Sequence, residues 1–223
     1  LQNRSFVIQS HLMYKKNKYV IGIDEVGRGA LAGPVVVAAL ALPKKFNLPI
    51  GRINFQLSKL KDSKKLSPRQ REVWFQYIKE LSLSYGIAAV SPKIIDKINI
   101  SQAANLAATK ALKKLLTDNK QLTTNNYKVF LDGGLYIKSK IKNQNFINSN
   151  FKTVIKGDEK IPAISLASIV AKVYRDKLMK KLHKKYPRYD FINNVGYGTK
   201  KHIKAIKKFG HSSIHRKSFK IIL

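Results

Sequence analysis

Two apolar runs separated by glycines set the first limit on this fold. Tyr19–Leu42 reads YVIGIDEVGRGALAGPVVVAALAL. Its β-branched stretches at 19–24 and 35–42 predict strands, and the glycine-rich turn breaks the chain between them. Downstream, LSPRQREVWFQYIKEL predicts a helix. Ser67 is placed as N-cap, Pro68 sits at the first helical position and Gln70 closes a capping box. Val73, Trp74, Tyr77, Ile78 and Leu81 share one face of that helix. A strand is expected at 84–90, a short helical turn after Ser91-Pro92, and an Ala-rich helix over about 101–116. YKVFLD (127–132) and FKTVIKGD (151–158) predict strands that each end in aspartate. An amphipathic helix follows over about 165–183, with Leu166, Ile169, Val170, Val173, Leu178 and Leu182 on one side, then a Lys-rich helical tail. Strands alternating with helices indicate an α/β domain with a mixed sheet. Residues 1–18 are expected to form an N-terminal arm, 19–185 the main domain and 186–223 a C-terminal helical extension.

A chain of 223 residues that is 44% hydrophobic can bury a substantial core. The absence of cysteine excludes disulfides and thiolate zinc sites and suits a reducing cytoplasm. No apolar run reaches the ~20 residues of a membrane span, and His11, Lys15, Lys16 and Lys18 interrupt any secretory signal. The charge is extreme: 44 Lys+Arg against 12 Asp+Glu, a formal +32. Part of that excess is a solvated Lys-rich surface. The field as a whole favours a polyanion bound in a salt-dependent way, with nucleic acid ahead of anionic membrane.

In so basic a chain each acid is informative. Glu72 and Glu80 lie on a helix with basic neighbours and are expected to form solvated ion pairs. Asp118 and Asp190 are expected in loops, and Asp176 follows Lys172 at a helical-pair spacing. Asp24, Glu25, Asp132 and Asp158 share a different position, the point where an apolar strand run gives out. There an open α/β sheet presents its site. Carboxylates gathered at one rim repel unless a cation compensates. Oxygen ligands without Cys or a strand-end His select hard ions, Mg²⁺ or Mn²⁺. Two such ions on a phosphodiester would activate a water and stabilise the leaving oxygen. Strand-terminal aspartates also cap turns and helices, and spacing alone leaves both readings open. Adjacent strand residues face opposite ways, so Asp24 and Glu25 are expected to need a backbone bend to share an ion. Gly27 and Gly29 would allow it.

Gly27-Arg28-Gly29-Ala30-Leu31-Ala32 also fits the G-x-G-x-x-A dinucleotide fingerprint. That fingerprint requires a following helix, whereas Gly33-Pro34 leads into strand-like Val35-Val36-Val37, and neighbouring carboxylates would repel a pyrophosphate. A different use fits better. A ligand can approach the Gly27–Gly29 backbone closely, so that its N–H and C=O groups read a sugar hydroxyl while Arg28 meets a phosphate. A tight turn needing positive φ explains the same glycines, and the two readings are compatible.

Five motifs occur in order: GIDEVGRGALAGPVVVAA, DSKKLS, VFLDGG, VIKGDEKIPAISLASIVAKVYRD, and GYGT followed by HRKSF. From about Ile21 to Phe219 the chain resembles bacterial ribonuclease HII. The resemblance implies a ribonuclease H-like mixed sheet flanked by helices, with a C-terminal helical extension completing the substrate groove. It implies a monomeric endonuclease that hydrolyses the RNA strand of RNA–DNA hybrids. It also implies cleavage of duplex DNA 5′ of embedded ribonucleotides, leaving 3′-hydroxyl and 5′-phosphate ends. The implied cofactor is Mn²⁺ or Mg²⁺, two ions during catalysis. The family's four acids fall on Asp24, Glu25, Asp132 and Asp158. Its Gly-Arg-Gly falls on Gly27, Arg28 and Gly29, which would read the 2′-hydroxyl and adjacent phosphates. Its tyrosine falls on Tyr197, which would bond the 2′-hydroxyl and stack on the following deoxyribose. Lys64, Lys65 and Lys172 would contact phosphate. Two departures, Ala30 for the usual proline and Gly134 for a frequent asparagine, are expected to loosen the rim of the site. The related ribonuclease HIII pattern fits less well, since it carries Gly-Lys-Gly and a glutamate as fourth acid. The terminal SFKIIL is apolar enough for a partner such as a sliding clamp, with core packing as its other fate. Two rival readings are a non-catalytic basic nucleic-acid-binding protein and another metal nuclease of the same fold.

Overall fold

Both faces of strand β2 (Val35–Pro43) are buried, which is why its sequence carries no polar alternation. In the computed structural model, which describes residues 18–45, 66–122, 126–137 and 151–220, β2 lies inside a five-stranded sheet of order β3-β2-β1-β4-β5. The other strands are β1 (Tyr19–Val26), β3 (Tyr85–Val90), β4 (Tyr127–Asp132) and β5 (Phe151–Val154). β1 pairs antiparallel with β2 and parallel with β4, β2 antiparallel with β3, and β4 parallel with β5. The expected mixed α/β sheet is therefore present.

Side-chain alternation divides the core into two layers. On one face Ile21, Ile23, Val35, Val37 and Ala39 pack on helix α3 (Ile100–Asp118). That helix presents Ala103, Ala104, Ala107, Ala108 and Ala111, small residues that let it lie close to the strands. On the other face Val36, Ala38 and Leu40 meet α1 (Pro68–Glu80) and α5 (Pro162–Lys185). The short helix α2 (Pro92–Ile98) precedes α3, and α4 (Gly157–Lys160) precedes α5. After α5 come a 3₁₀ turn at Pro187–Tyr189, α6 (Phe191–Asn194) and α7 (Lys200–Phe209).

Several local expectations hold and several need correction. The capping box of α1 is formed: the Ser67 hydroxyl accepts from the Gln70 N–H at 3.3 Å, and the Gln70 side chain accepts from the Ser67 N–H at 2.8 Å. Its buried face is Trp74, Phe75 and Ile78, while Val73 is exposed, because the helix packs on α5 as well as on the sheet. Helix α5 is not one-sided. Ala163 through Ala171 are all buried, since its first half lies between the sheet and its neighbours. The FKTVIKGD strand stops at Val154, and Asp158 lies in α4. Among the described residues after Lys185, the α-helical segments are Phe191–Asn194 and Lys200–Phe209, and 210–220 folds back over the glycine-rich loop as irregular chain. Asp176 pairs with Arg71 at 3.0 Å, and Glu72 pairs with Lys177 at 2.6 Å. The arm at 1–17 lies outside the described residues, as do Lys64 and Lys65.

Candidate active site

The parallel pairing of β1 with β4 ends at the rung Ile23↔Leu131. Asp24 and Asp132 are the next residues on their strands, and Glu25 follows Asp24. Each of these three carboxylates offers an oxygen within 4.8 Å of the others. The expected backbone bend does not occur, because β1 stays in register with β2 through Glu25↔Val37 and Val26↔Val36. Asp24 shares the α5 side of the sheet with Val20, and Glu25 shares the α3 side with Ile21 and Ile23. They converge on one locus because pairing with β4 has ended there, so no rung separates the two faces.

Hydrogen bonds hold this arrangement. Asp24 Oδ1 accepts from the Glu25 N–H at 2.7 Å, and Asp132 Oδ1 accepts from the Gly157 N–H at 2.7 Å. Glu25 Oε1 receives Arg28 Nη1 at 3.3 Å, and Arg28 Nη2 reaches the Ser101 hydroxyl at 3.0 Å. Glu25 Oε2 is buried without a hydrogen-bond partner. Burial, then the charges of Glu25 and Asp132, push the Asp24 carboxyl up to about 8, against the pull of the Ser168 hydroxyl and the Lys172 ammonium. Burial also raises Glu25, against the pull of Arg28. Without a compensating cation this site favours protons over charge. The oxygen-only donor set and the orphaned Glu25 oxygen fit a hard divalent ion.

Asp158 is buried but is not part of this group of three. It lies in the first turn of α4, and its carbonyl accepts from the Ser165 hydroxyl. Since Gly157 bonds Asp132, Asp158 is one residue removed from the cluster. Lys172, on α5, lies on the Asp24 side of the sheet.

The glycine-rich loop rests on two buried arginines that sequence reading left unassigned. Arg175 donates to the carbonyls of Pro34, Val195 and Ala32 at 3.2, 2.8 and 3.2 Å. Arg216 donates to those of Gly33, Arg28 and Gly27 at 3.0, 2.8 and 2.6 Å. Arg175 had a readable signal, because it falls on a buried stripe with Ala171 and Met179 at four-residue spacing. Gly27 has φ +83°, and an added Cβ would lie 2.2 Å from Arg175 Nε, so both backbone and space require glycine there. Gly29 faces open space. Ala30 is buried and supplies an N–H to the Gly27 carbonyl at 3.4 Å, which proline would lack. Gly134 has φ +89°, and a Cβ there would lie 3.2 Å from Arg28 Nη1.

Tyr197 belongs to the same surface. The N–H groups of Leu31 and Ala32 both bond the Gly196 carbonyl, at 2.8 and 3.1 Å. The Arg175 guanidinium lies 5.5 Å from the Tyr197 ring centre, while 38% of the residue remains exposed. No helix among the described residues is long and apolar enough to cross a membrane.

Comparison with known proteins matches this architecture. A family model described as ribonuclease HII matches residues 21–222. A ribonuclease HII from Chloroherpeton thalassium is 42% identical over 208 residues, 93% of each chain. One from Clostridium beijerinckii is 47% identical over 202 residues, 91% of this chain and 67% of its own. A chain of the PCNA:RNase HII complex from Archaeoglobus fulgidus superposes with a TM-score of 0.65 at 22% identity, covering 92% of this chain and 96% of its own, a likeness that speaks to the fold alone. With a match over nearly its whole length and relatives above 40% identity, the chain belongs to the ribonuclease HII family.

Proposed function

We propose that the protein hydrolyses the RNA strand of RNA–DNA hybrids and cuts duplex DNA 5′ of an embedded ribonucleotide, leaving 3′-hydroxyl and 5′-phosphate ends. The observation that carries this reading is the convergence of Asp24, Glu25 and Asp132 in a chain of formal charge +32. Carboxylates at that locus weaken phosphate binding, so a purely binding protein has no use for them. As metal ligands they are needed.

In this reading Asp24, Glu25 and Asp132 hold Mg²⁺ or Mn²⁺, which when bound polarises the phosphate and lowers the pKa of water. Asp158 completes the acidic rim and orients the attacking water. The Gly27–Gly29 backbone meets the ribose 2′-hydroxyl, and Arg28, pinned between Glu25 and Ser101, meets the phosphate. Tyr197 lies against the 2′-hydroxyl and the following sugar. Lys172 compensates the buried Asp24 charge and faces the scissile phosphate, with Lys64 as a further phosphate contact. The protein acts as a monomer, its C-terminal segment from 186 lining the groove. A cysteine-free chain suits a reducing compartment, and the cytoplasm is proposed for it. The Archaeoglobus fulgidus relative was solved with PCNA. For this chain a sliding-clamp contact through SFKIIL would rely on the residues after Phe219, because Phe219 packs against the core.

The test uses three substrates with Mg²⁺ or Mn²⁺: a duplex with one ribonucleotide, an RNA–DNA hybrid and an all-DNA control. Cutting of the first two alone, abolished by chelation, is expected. Binding without cleavage would return the non-catalytic reading, and cutting of the control would indicate a different nuclease.

A further inference from the structure

HRKSF holds the clearest unassigned feature of the molecule. The segment Ser212–Arg216 bonds the glycine-rich loop directly and reaches the Tyr197 carbonyl through His202. The Gly33 N–H bonds the Ile214 carbonyl at 2.9 Å, the Arg216 N–H bonds the Leu31 carbonyl at 2.8 Å, and Ala32 and His215 form an antiparallel bridge. Arg216 draws the carbonyls of Gly27 and Arg28 inward. In trans peptides N–H and C=O point opposite ways, so the N–H groups of Arg28 and Gly29 are turned away from the buried guanidinium.

His215 continues the connection through a hydrogen-bond chain whose polarity is fixed at both ends. The Ser212 N–H can only donate, and it lies 2.9 Å from His215 Nδ1. That nitrogen is therefore an acceptor, and the neutral ring carries its proton on Nε2. His215 Nε2 lies 3.1 Å from His202 Nε2, which must then accept. The His202 proton is consequently on Nδ1, 2.8 Å from the Tyr197 carbonyl, which can only accept. A second proton on either ring would oppose two N–H groups or face a donor. Burial, then the neighbouring His202 and His211, lowers His215 to about 4, and burial lowers His202. The rings of Tyr189, Phe191 and His211 pack around the pair.

We propose that Arg216, His215 and His202 are positioning residues that hold the two substrate-reading loops as one rigid unit: Arg216 orients the Gly27–Gly29 peptides, and the one-way relay from Ser212 through His215 and His202 fixes the peptide of Tyr197 against them. This rests on the assignment of Gly27–Gly29 and Tyr197 to substrate. Rigid joining matters because a ribose and the sugar after it are read together only if both loops keep a fixed spacing.

Two substitutions of His202 separate positioning from packing. His202→Asn keeps a donor near the Nδ1 position, facing the Tyr197 carbonyl. His202→Gln keeps an acceptor near Nε2 for His215 but loses that donor. The readout is kcat/KM on a single embedded ribonucleotide divided by kcat/KM on a uniform hybrid. His202→Asn, which keeps the bond to the Tyr197 carbonyl and loses the link to His215, should lower the ratio about threefold, while His202→Gln, which loses the bond to Tyr197 itself, should lower it about tenfold. Equal ratios in the two variants would overturn the proposal. A second measurement needs neither turnover nor a folded variant. Long-range ¹H–¹⁵N correlation of the imidazoles in the unaltered protein should show His202 protonated at Nδ1 and His215 at Nε2, with the His215 ring unchanged down to about pH 5.5. The opposite tautomers, or titration near the ordinary histidine range, would overturn the relay even if the protein cleaves as proposed. Failure of the unaltered protein to cleave would instead refute the proposed function and leave the relay to the imidazole spectra.

Discussion

Asp24 and Asp132 stand side by side because each follows the last rung, Ile23↔Leu131, that joins two parallel strands. Their meeting is a consequence of where strand pairing stops, so removing either charge should leave the sheet intact. Asp24→Asn and Asp132→Asn are each expected to lower cleavage at least about 100-fold. Duplex affinity should hold or rise slightly, since a negative charge is lost from a strongly basic surface. Cleavage assays paired with filter binding check this, and near-normal turnover in either variant would refute the assignment.

In the metal-free protein the contribution of Asp24 to stability should be lost as pH rises. Folded Asp24 holds its proton up to about 8, against 3.8 as the ordinary value. Between those values the folded state binds more protons than the unfolded state, so unfolding free energy falls with rising pH. Asp24→Asn removes that contribution. In EDTA the variant should match wild type near about pH 4 and exceed it by about 2–5 kcal/mol near pH 8. Urea titrations at the two pH values measure it. Added Mg²⁺ should stabilise wild type at the higher pH and do little for the variant.

Gly27 and Gly29 are predicted to fail in different ways. Gly27→Ala meets a positive φ and the anchored Arg175 side chain, so it should destabilise the fold by about 2–4 kcal/mol. Gly29→Ala has open space for its methyl group. It should leave stability within about 0.5 kcal/mol while cutting activity on an embedded ribonucleotide about tenfold. Thermal melts beside cleavage rates separate the two, and equal effects would mean that the loop has only a structural task.

Much of this architecture was legible in the sequence, for identifiable reasons. Ser67-Pro68 and Gln70 announce α1 through local hydrogen bonds alone. The alternation of strand and helix signals gives the mixed sheet, and Asp24, Glu25 and Asp132 stand out as scarce acids at the ends of apolar runs. What escaped depends on contacts distant in sequence. Phe75 replaces Val73 on the buried face because α5 packs beside α1. The expected bend at Glu25 is unnecessary because β4 ends its pairing there, a fact of register that no local pattern encodes. Asp158 falls in a helix because FKTVIKGD breaks after Val154. Arg216 lies 188 residues from the Arg28 carbonyl it holds, and in a Lys-rich tail nothing marks it as buried.

Tyr197 should contribute more to recognition of the ribonucleotide than to general affinity. Its ring is partly exposed and braced by Arg175. Tyr197→Ala is expected to lower kcat/KM on a single embedded ribonucleotide about tenfold or more and to weaken duplex binding less than about threefold. Parallel losses in both would reduce the tyrosine to a binding contact.

The central claim is that Asp24, Glu25 and Asp132 form one divalent-ion site. Anomalous diffraction from crystals grown with Mn²⁺ tests it most directly. A manganese peak bonded to oxygens of all three residues is the predicted result. A peak elsewhere, or none at this locus, would contradict it.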